Sequence, residues 1–226
     1  MARQRTAVKK VQPVLKWAGG KQGIARRLVE MFPQQFERYY EPFVGGASVL
    51  FMLRPERAVV GDANGWLIDT YRALREDPEE VARLLDSMEN SKEEYLRLRS
   101  VLPQTLSLLE RAAHLIYLNK TCFRGLFRVN RKGQFNVPYG QYSRRYYDPD
   151  NLIATSEVFR EIELRSGDFE LCLRDITERD FVYLDPPYFK LGGYSDFNRY
   201  TKDQFRVGDH FRLTALCREL DERGVR

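Results

Sequence analysis

The stretch Phe181-Val182-Tyr183-Leu184-Asp185-Pro186-Pro187-Tyr188 brings a carboxylate, two prolines and an aromatic ring to the end of an apolar, strand-forming run. Proline stops a strand there, because it has no N–H to give the ladder. In an open α/β sheet, ligands bind beyond the carboxyl ends of the strands. At that edge Asp185 can accept a hydrogen bond, and Pro186 offers a carbonyl with no N–H of its own. Two converging acceptors suit a planar amino group such as N6 of adenine. Gripping its hydrogens helps free the nitrogen lone pair for attack, and Tyr188 is placed to stack on the base. A lone Asp-Pro-Pro is more often just a buried strand entering a turn, so the rest of the chain has to decide.

Elements that would bring a ligand to this edge stand upstream. Residues 39–43 form an expected first strand, and Val44-Gly45-Gly46-Ala47-Ser48 a small-residue turn into a helix running to residue 53. Small side chains let the main chain come close to a ligand, as in dinucleotide folds. A second strand, 58–61, ends in Asp62. An acid about twenty residues after a Gly-rich turn is placed for ribose hydroxyls. A helix N-cap is the common alternative for Asp62 and is compatible with that role. Together the turn and the acid favour a nucleoside-bearing ligand.

Before these, Leu15-Lys16-Trp17-Ala18-Gly19-Gly20-Lys21 suggests a P-loop, but position 15 lacks the required glycine and Gln22 stands where Ser or Thr would hold magnesium. What remains is a loop able to approach a ligand closely, flanked by a ring and a cation, ahead of a helix over 24–31. Residues 66–75, 78–88, 92–99 and 105–118 follow a helical pattern, with Asp77 and a Ser91/Glu94 box as caps. Four helices between two strands are too many for one crossover and point to an inserted subdomain.

Residues 119–147 hold Lys120, Arg124, Arg128, Arg131, Lys132, Arg144 and Arg145 without one acid, interleaved with Phe123, Phe127, Phe135, Tyr139, Tyr142, Tyr146 and Tyr147. Cations neutralise phosphate, rings stack on bases, and arginine can read guanine with two hydrogen bonds. A charge run is usually a solvated face; the density of rings here favours nucleic acid. Asn130-Arg131-Lys132-Gly133-Gln134 has the composition of a hairpin turn. A strand over 161–164 leads to Asp168, which either meets the ligand's adenine amino group or caps the next helix. A polar, Gly-rich loop follows Tyr188, and a Thr201/Gln204 box opens an expected helix over 202–223.

The 226 residues, 43% hydrophobic and 31% charged, suffice for one sizeable core and a smaller insertion. A formal charge of +5 and a pI near 9.1 are only modestly basic. Cys122, Cys172 and Cys217 show no CxxC spacing, and His114 and His210 lie far apart, so neither a zinc site nor a disulfide framework is expected. Residues 1–10 are a basic tail. With no long apolar run or signal pattern, the expectation is a cytoplasmic, nucleoid-associated, monomeric protein with no membrane or metal partner.

With these residues in place the chain resembles the Dam-type DNA adenine-N6 methyltransferases. The carriers are the 15–21 loop, Glu41-Pro42-Phe43-Val44-Gly45-Gly46, Asp62-Ala63-Asn64, Asn119 with Gly125-Leu126-Phe127-Arg128, Gly133-Gln134-Phe135-Asn136-Val137-Pro138, and Asp185-Pro186-Pro187-Tyr188. The resemblance implies a Rossmann-like methyltransferase α/β sheet with a mostly helical insertion. Residues 11–75 and 160–226 would form the S-adenosylmethionine-binding catalytic domain, and 76–159 the target-recognition subdomain. Trp17, Lys21, Phe43, Gly45, Gly46, Asp62, Asp168 and Asp185 would bind the methyl donor. Asp185, Pro186, Pro187 and Tyr188 would form the catalytic cradle.

Phe123 matches an aromatic wedge that fills the gap left by a flipped base. Leu126, Arg128 and Pro138 match base readers, and Lys16, Lys120, Asn130 and Tyr142 match backbone contacts. The implied substrate is adenine in duplex DNA, with GATC as the implied target. Host methylation, restriction-modification and viral roles stay open, as do a catalytically silent or split-half DNA-binding module and methylation of RNA or protein glutamine. Family members carry further sheet strands after the last helix, so the sequence is expected to be incomplete, with C-terminal strands missing.

Overall fold

The computed structural model describes residues 11–130, 133–143, 145–188 and 205–226. Its centre is a four-stranded, wholly parallel sheet in the order β3-β2-β1-β4, with β1 at Tyr39–Glu41, β2 at Ala58–Asp62, β3 at Ile162–Ser166 and β4 at Phe181–Val182. Tyr39 pairs with Ala58 on one side and Phe181 on the other. β1 stops two residues short of its expected end, because Pro42 cannot donate to a ladder. β4 is likewise short: just past its end Tyr183 N–H reaches the Tyr40 carbonyl at 2.9 Å, and the next residue but one on β1 is Pro42, with no N–H to return a bond. On its other edge, Val182 N–H donates to the Arg226 carbonyl at 2.8 Å.

Strand side chains alternate between faces. Tyr39, Ala58, Val60, Ile162 and Leu164 belong to the larger apolar cluster, with α2 (Ser48–Leu53), α3 (Gly65–Glu76) and α7 (Pro149–Phe159). Tyr40 and Val59 belong to a smaller one with Cys172 of α8 (Phe169–Cys172) and Leu220 of α9 (Val207–Glu222). The larger cluster continues without a break from the sheet into α4 (Pro78–Asp86), α5 (Lys92–Ser100) and α6 (Leu108–Thr121). α1 (Ala25–Glu30) precedes the sheet.

Caps set the helix ends. Asn64 accepts from the N–H groups of Trp66 and Leu67, Asp77 from Glu80 ahead of Pro78, and Ser91 from Glu94. α6 starts three residues later than its pattern suggests, because Pro103–Thr105 forms a 3-10 turn and Ser107 with Glu110 makes the capping box. α9 begins at Val207, where the Asp209 carboxylate accepts from the Arg206 N–H at 2.8 Å. The expected Thr201/Gln204 box and the loop to residue 200 lie outside the described residues, as does the basic tail.

His114 of α6 is buried, and among the described residues neither of its ring nitrogens has a hydrogen-bond partner. Burial pushes its pKa below the ordinary histidine value, helped by Arg97 and opposed by Glu110 and Glu94. An unfolded chain protonates this ring below about pH 6.5, whereas the folded chain resists. Stability should therefore fall as pH drops below that value. His114→Phe should remove this part of the loss, raising the melting temperature more at pH 5 than at pH 8; an equal shift at both would show that the ring does not titrate with folding.

Candidate active site

Along the sheet the chain moves outward from β1 through β2 to β3, then returns to place β4 on the other side of β1. Such a reversal opens a crevice at the carboxyl ends of β1 and β4, the two strands on either side of it. A cleft of about 630 Å³ lies there, within the range of small-molecule sites. Its lining joins segments far apart in sequence: 17–21, the turn after β1, Asp62, Asp168, and Asp185 through Tyr188.

The turn after β1 is built around Asp62. Its carboxylate accepts from the Gly45 N–H at 3.1 Å and from the Asn64 N–H at 2.8 Å, while Tyr71 donates to the Gly45 carbonyl at 2.5 Å. Asp62 thus fixes the glycine turn rather than capping a helix; Asn64 is the cap. Gly45 has φ +45°, and a Cβ there would stand 2.7 Å from Cδ1 of Trp17, so the indole lies directly on the glycine backbone. On its other side Trp17 stacks on Phe127 at 5.1 Å. Phe43 packs against Phe169 and Phe205 at 5.6 and 5.7 Å.

The cleft is acidic at its base. Burial pushes the Asp62 carboxyl up to about 6 against the two backbone donors, and pushes buried Glu41 up to about 8. Glu41 accepts from the Tyr39 hydroxyl at 2.9 Å. It lines the cleft and was missed as a site residue, although an acid at the end of an apolar strand is itself a signal.

Lys21 reaches across the cleft. Its ammonium donates to the Gly19 carbonyl at 2.7 Å, forms an ion pair with Asp185, and stands 5.5 Å from the centre of the exposed Tyr188 ring. Burial disfavours its charge, but the bond to Asp185 and that carboxylate's charge outweigh the penalty and raise its pKa. The expected cradle pairs Asp185 with the Pro186 carbonyl, whereas here Asp185 and the Gly19 carbonyl hold the chain's own ammonium.

Asp168 takes the capping role and also lines the cleft. It caps α8 through the Glu170 N–H at 3.0 Å, and its carboxylate is engaged by Arg212 of α9 at 2.7 and 3.1 Å.

The basic, aromatic stretch packs differently from its expectation. Phe127, Phe135 and Tyr147 are buried, and Tyr139 and Tyr146 pack on the same core with hydroxyls bonded to Asn90 and Leu85. These five rings hold the fold, because tyrosine and phenylalanine supply apolar area that a segment without helix or sheet needs. Phe123 is 45% exposed and carries the guanidinium of Arg124 5.1 Å from its ring centre. Pro138 is exposed, and Leu126, Lys16, Lys120 and Tyr142 are half-buried. The Lys16 ammonium stands 5.3 Å from the Tyr142 ring centre.

Arg128 donates twice to the Asn136 carbonyl, at 3.0 and 2.7 Å. Asn130 closes the hairpin turn with Gln134, and Gly133 takes φ +77° there. Arg131, Lys132 and Arg144 lie outside the described residues. Among the described residues there is no cluster of three metal-ligating side chains and no helix long and apolar enough to cross a membrane.

Residues 17–226 match the family described as D12 class N6 adenine-specific DNA methyltransferase. The chain belongs to that family. Similar proteins include a Type II methyltransferase, M1.LlaDCHI, of Lactococcus lactis subsp. cremoris, 39% identical over 95% of this chain and 79% of its own length. A DNA adenine methylase of Vibrio cholerae is 31% identical over 96% of this chain and 80% of its own length. A DNA N-6-adenine-methyltransferase of Escherichia phage P1 is 32% identical over 98% of this chain but only 31% of its own length.

For this D12-class chain, Gly45 is the most sensitive point of the cleft. Gly45→Ala should displace Trp17 and lower stability by about 1–3 kcal/mol. Thermal unfolding with tryptophan fluorescence checks this; an unchanged melting point would mean that the turn tolerates a side chain.

Proposed function

We propose that this chain methylates N6 of a flipped adenine in duplex DNA, with S-adenosylmethionine as donor and GATC as target. The observation that carries the proposal is a single cleft reached by the glycine turn, Asp62 and Asp185 through Tyr188, with an amino nitrogen already seated on Asp185. Its size, the backbone of the glycine turn along its wall and the Asp62 carboxylate held beside that turn fit the donor. Trp17, Lys21, Phe43, Gly45, Gly46, Asp62, Asp168 and Asp185 would hold it, and it supplies an electrophilic methyl on a sulfonium. Residues 11–75 and 160–226 would be the catalytic part, and 76–159 the part that recognises the target.

An adenine stacked in a duplex cannot reach Asp185, so it must be extruded at a cost of a few kcal/mol. Phe123, the exposed ring of its stretch, would take its place in the stack and offset roughly 1–3 kcal/mol. Asp185 and the Pro186 carbonyl would accept the two N6 hydrogens, and Tyr188 would stack on the base. The bound donor would supply an electrophilic methyl to N6 and leave as a neutral thioether, and the proton displaced from N6 would pass to water. Asp185 offsets the charge growing on nitrogen, and the cleft supplies alignment. Lys21 must give up Asp185 as the base enters, since a cation there opposes that charge.

Transfer of labelled methyl groups to plasmid DNA, with RNA and glutamine peptides as competitors, tests the reading. DNA should be preferred, and Asp185→Ala should lower the rate by roughly 10²–10³. No transfer to DNA, or full activity in the variant, would overturn it.

If Arg128 reads guanine, Arg128→Ala should cost about 1–3 kcal/mol at one base pair and relax preference there. Equal loss on all sequences would assign Arg128 to phosphate.

A further inference from the structure

The residues that would face DNA sit on a segment with little regular structure of its own. Among the described residues from Cys122 to Tyr147 there are one 3-10 turn and two isolated antiparallel bridges, Cys122 to Tyr139 and Val129 to Phe135. Backbone groups without a ladder need partners elsewhere, and those partners fix where the chain runs. Some come from α6 and from the strip itself, and those that hold residues 137–142 include α5 and the residues just before it.

The Val137 carbonyl receives two donors from α5, the Tyr95 hydroxyl at 2.7 Å and the Arg99 guanidinium at 3.1 Å. Five residues on, the Tyr142 carbonyl accepts from the Asn90 side-chain amide at 2.6 Å. Asn90 also accepts from the Tyr139 hydroxyl, through its side chain at 3.0 Å and its backbone carbonyl at 3.1 Å. The exposed turn then rests on what these bonds hold. Phe123 N–H donates to the Pro138 carbonyl at 2.8 Å, and Arg124 N–H donates to the Tyr142 hydroxyl at 2.9 Å. Arg124 takes φ +58°, a conformation that a non-glycine residue keeps only when its surroundings enforce it.

Phe123, Pro138 and Tyr142 are therefore positioned from a common frame. Tyr95 is fully buried and projects its hydroxyl from a helix that itself packs on α6. Asn90 ties together both flanks of the same strip. Removing the Asn90 side chain takes a donor from the Tyr142 carbonyl, and removing the Tyr95 hydroxyl leaves the Val137 carbonyl with Arg99 alone, so either change lets the strip shift against the helices.

We propose that Asn90 and Tyr95 are positioning residues for sequence discrimination: from outside the presumed contact surface, they set the register of Val137 through Tyr142 and of the Phe123 turn against the DNA. The proposal rests on the reading that this segment meets DNA. Neither residue lines the cleft, so their loss should act on the choice of DNA and not on the methyl donor. A displacement near 1 Å is enough to lower a rate about 100-fold when alignment decides it.

The test uses the full chain, first mapping its target by sequencing methylated sites on plasmid DNA. Wild type, Asn90→Ala and Tyr95→Phe are then compared on a duplex holding that target and on the same duplex with one base pair changed. Donor affinity by calorimetry and melting temperature are measured alongside. Tyr95→Phe keeps the buried ring and removes only the hydroxyl, and Asn90→Ala lies in a short connection outside the helices, so the two variants perturb the frame independently.

The expected result is at least a tenfold narrowing of the kcat/KM ratio between the two duplexes, with donor affinity held within twofold. Unchanged discrimination in both variants beside a discriminating wild type overturns this inference alone. So does a parallel fall in donor affinity and in activity on both duplexes, which would mark a merely structural role. A wild type without preference between duplexes overturns the functional reading, and this inference with it.

Discussion

The arrangement depends on where β1 sits. Because every strand is parallel, all carboxyl ends face the same side of the sheet, and because β1 lies between β2 and β4, the segments leaving these three strands converge on one spot. Pro42 makes the convergence abrupt: it has no N–H, so the ladders of β1 stop just after Tyr40 and Glu41. The Asp62 carboxylate then binds the segments leaving β1 and β2 to each other through the backbone of Gly45 and Asn64. Without that carboxylate the glycine turn would lose the acceptor that holds it beneath Trp17.

Much of this was legible in the residues. Strand-forming runs closed by Pro42, Asp62 and Pro186 located the sheet and its ligand edge, and small polar caps at Asn64, Asp77 and Ser91 marked helix starts. Long-range geometry was not legible in the same way. That Lys21 would meet Asp185 across 164 residues depends on the fold alone, and so does the contact of Trp17 with both Gly45 and Phe127. The aromatic residues between Asn119 and Tyr147 misled for a physical reason. Composition cannot distinguish a ring that stacks on a base from one that fills an interior, and five of the seven fill the interior or its edge. Only exposure separates Phe123 from its neighbours.

The buried acids show a related limit. Glu41, Asp62 and Asp185 are ordinary letters in a sequence, but the fold gives each a different set of partners. Asp62 retains two backbone donors, Glu41 has the Tyr39 hydroxyl, and Asp185 has a cation. Burial lifts the first two carboxyls by different amounts. One small region therefore holds acids with unlike proton affinities, which is how a site keeps one acceptor charged while another stays protonated.

The ion pair between Lys21 and Asp185 has a further consequence. A tethered rival differs from a dissolved one: its local concentration is set by chain length and stiffness, so dilution never weakens it. Every visitor seeking that carboxylate meets the same entry threshold at any protein concentration. A ligand that also filled the space beside Tyr188 would bring contact area to the exchange that a bare cation lacks.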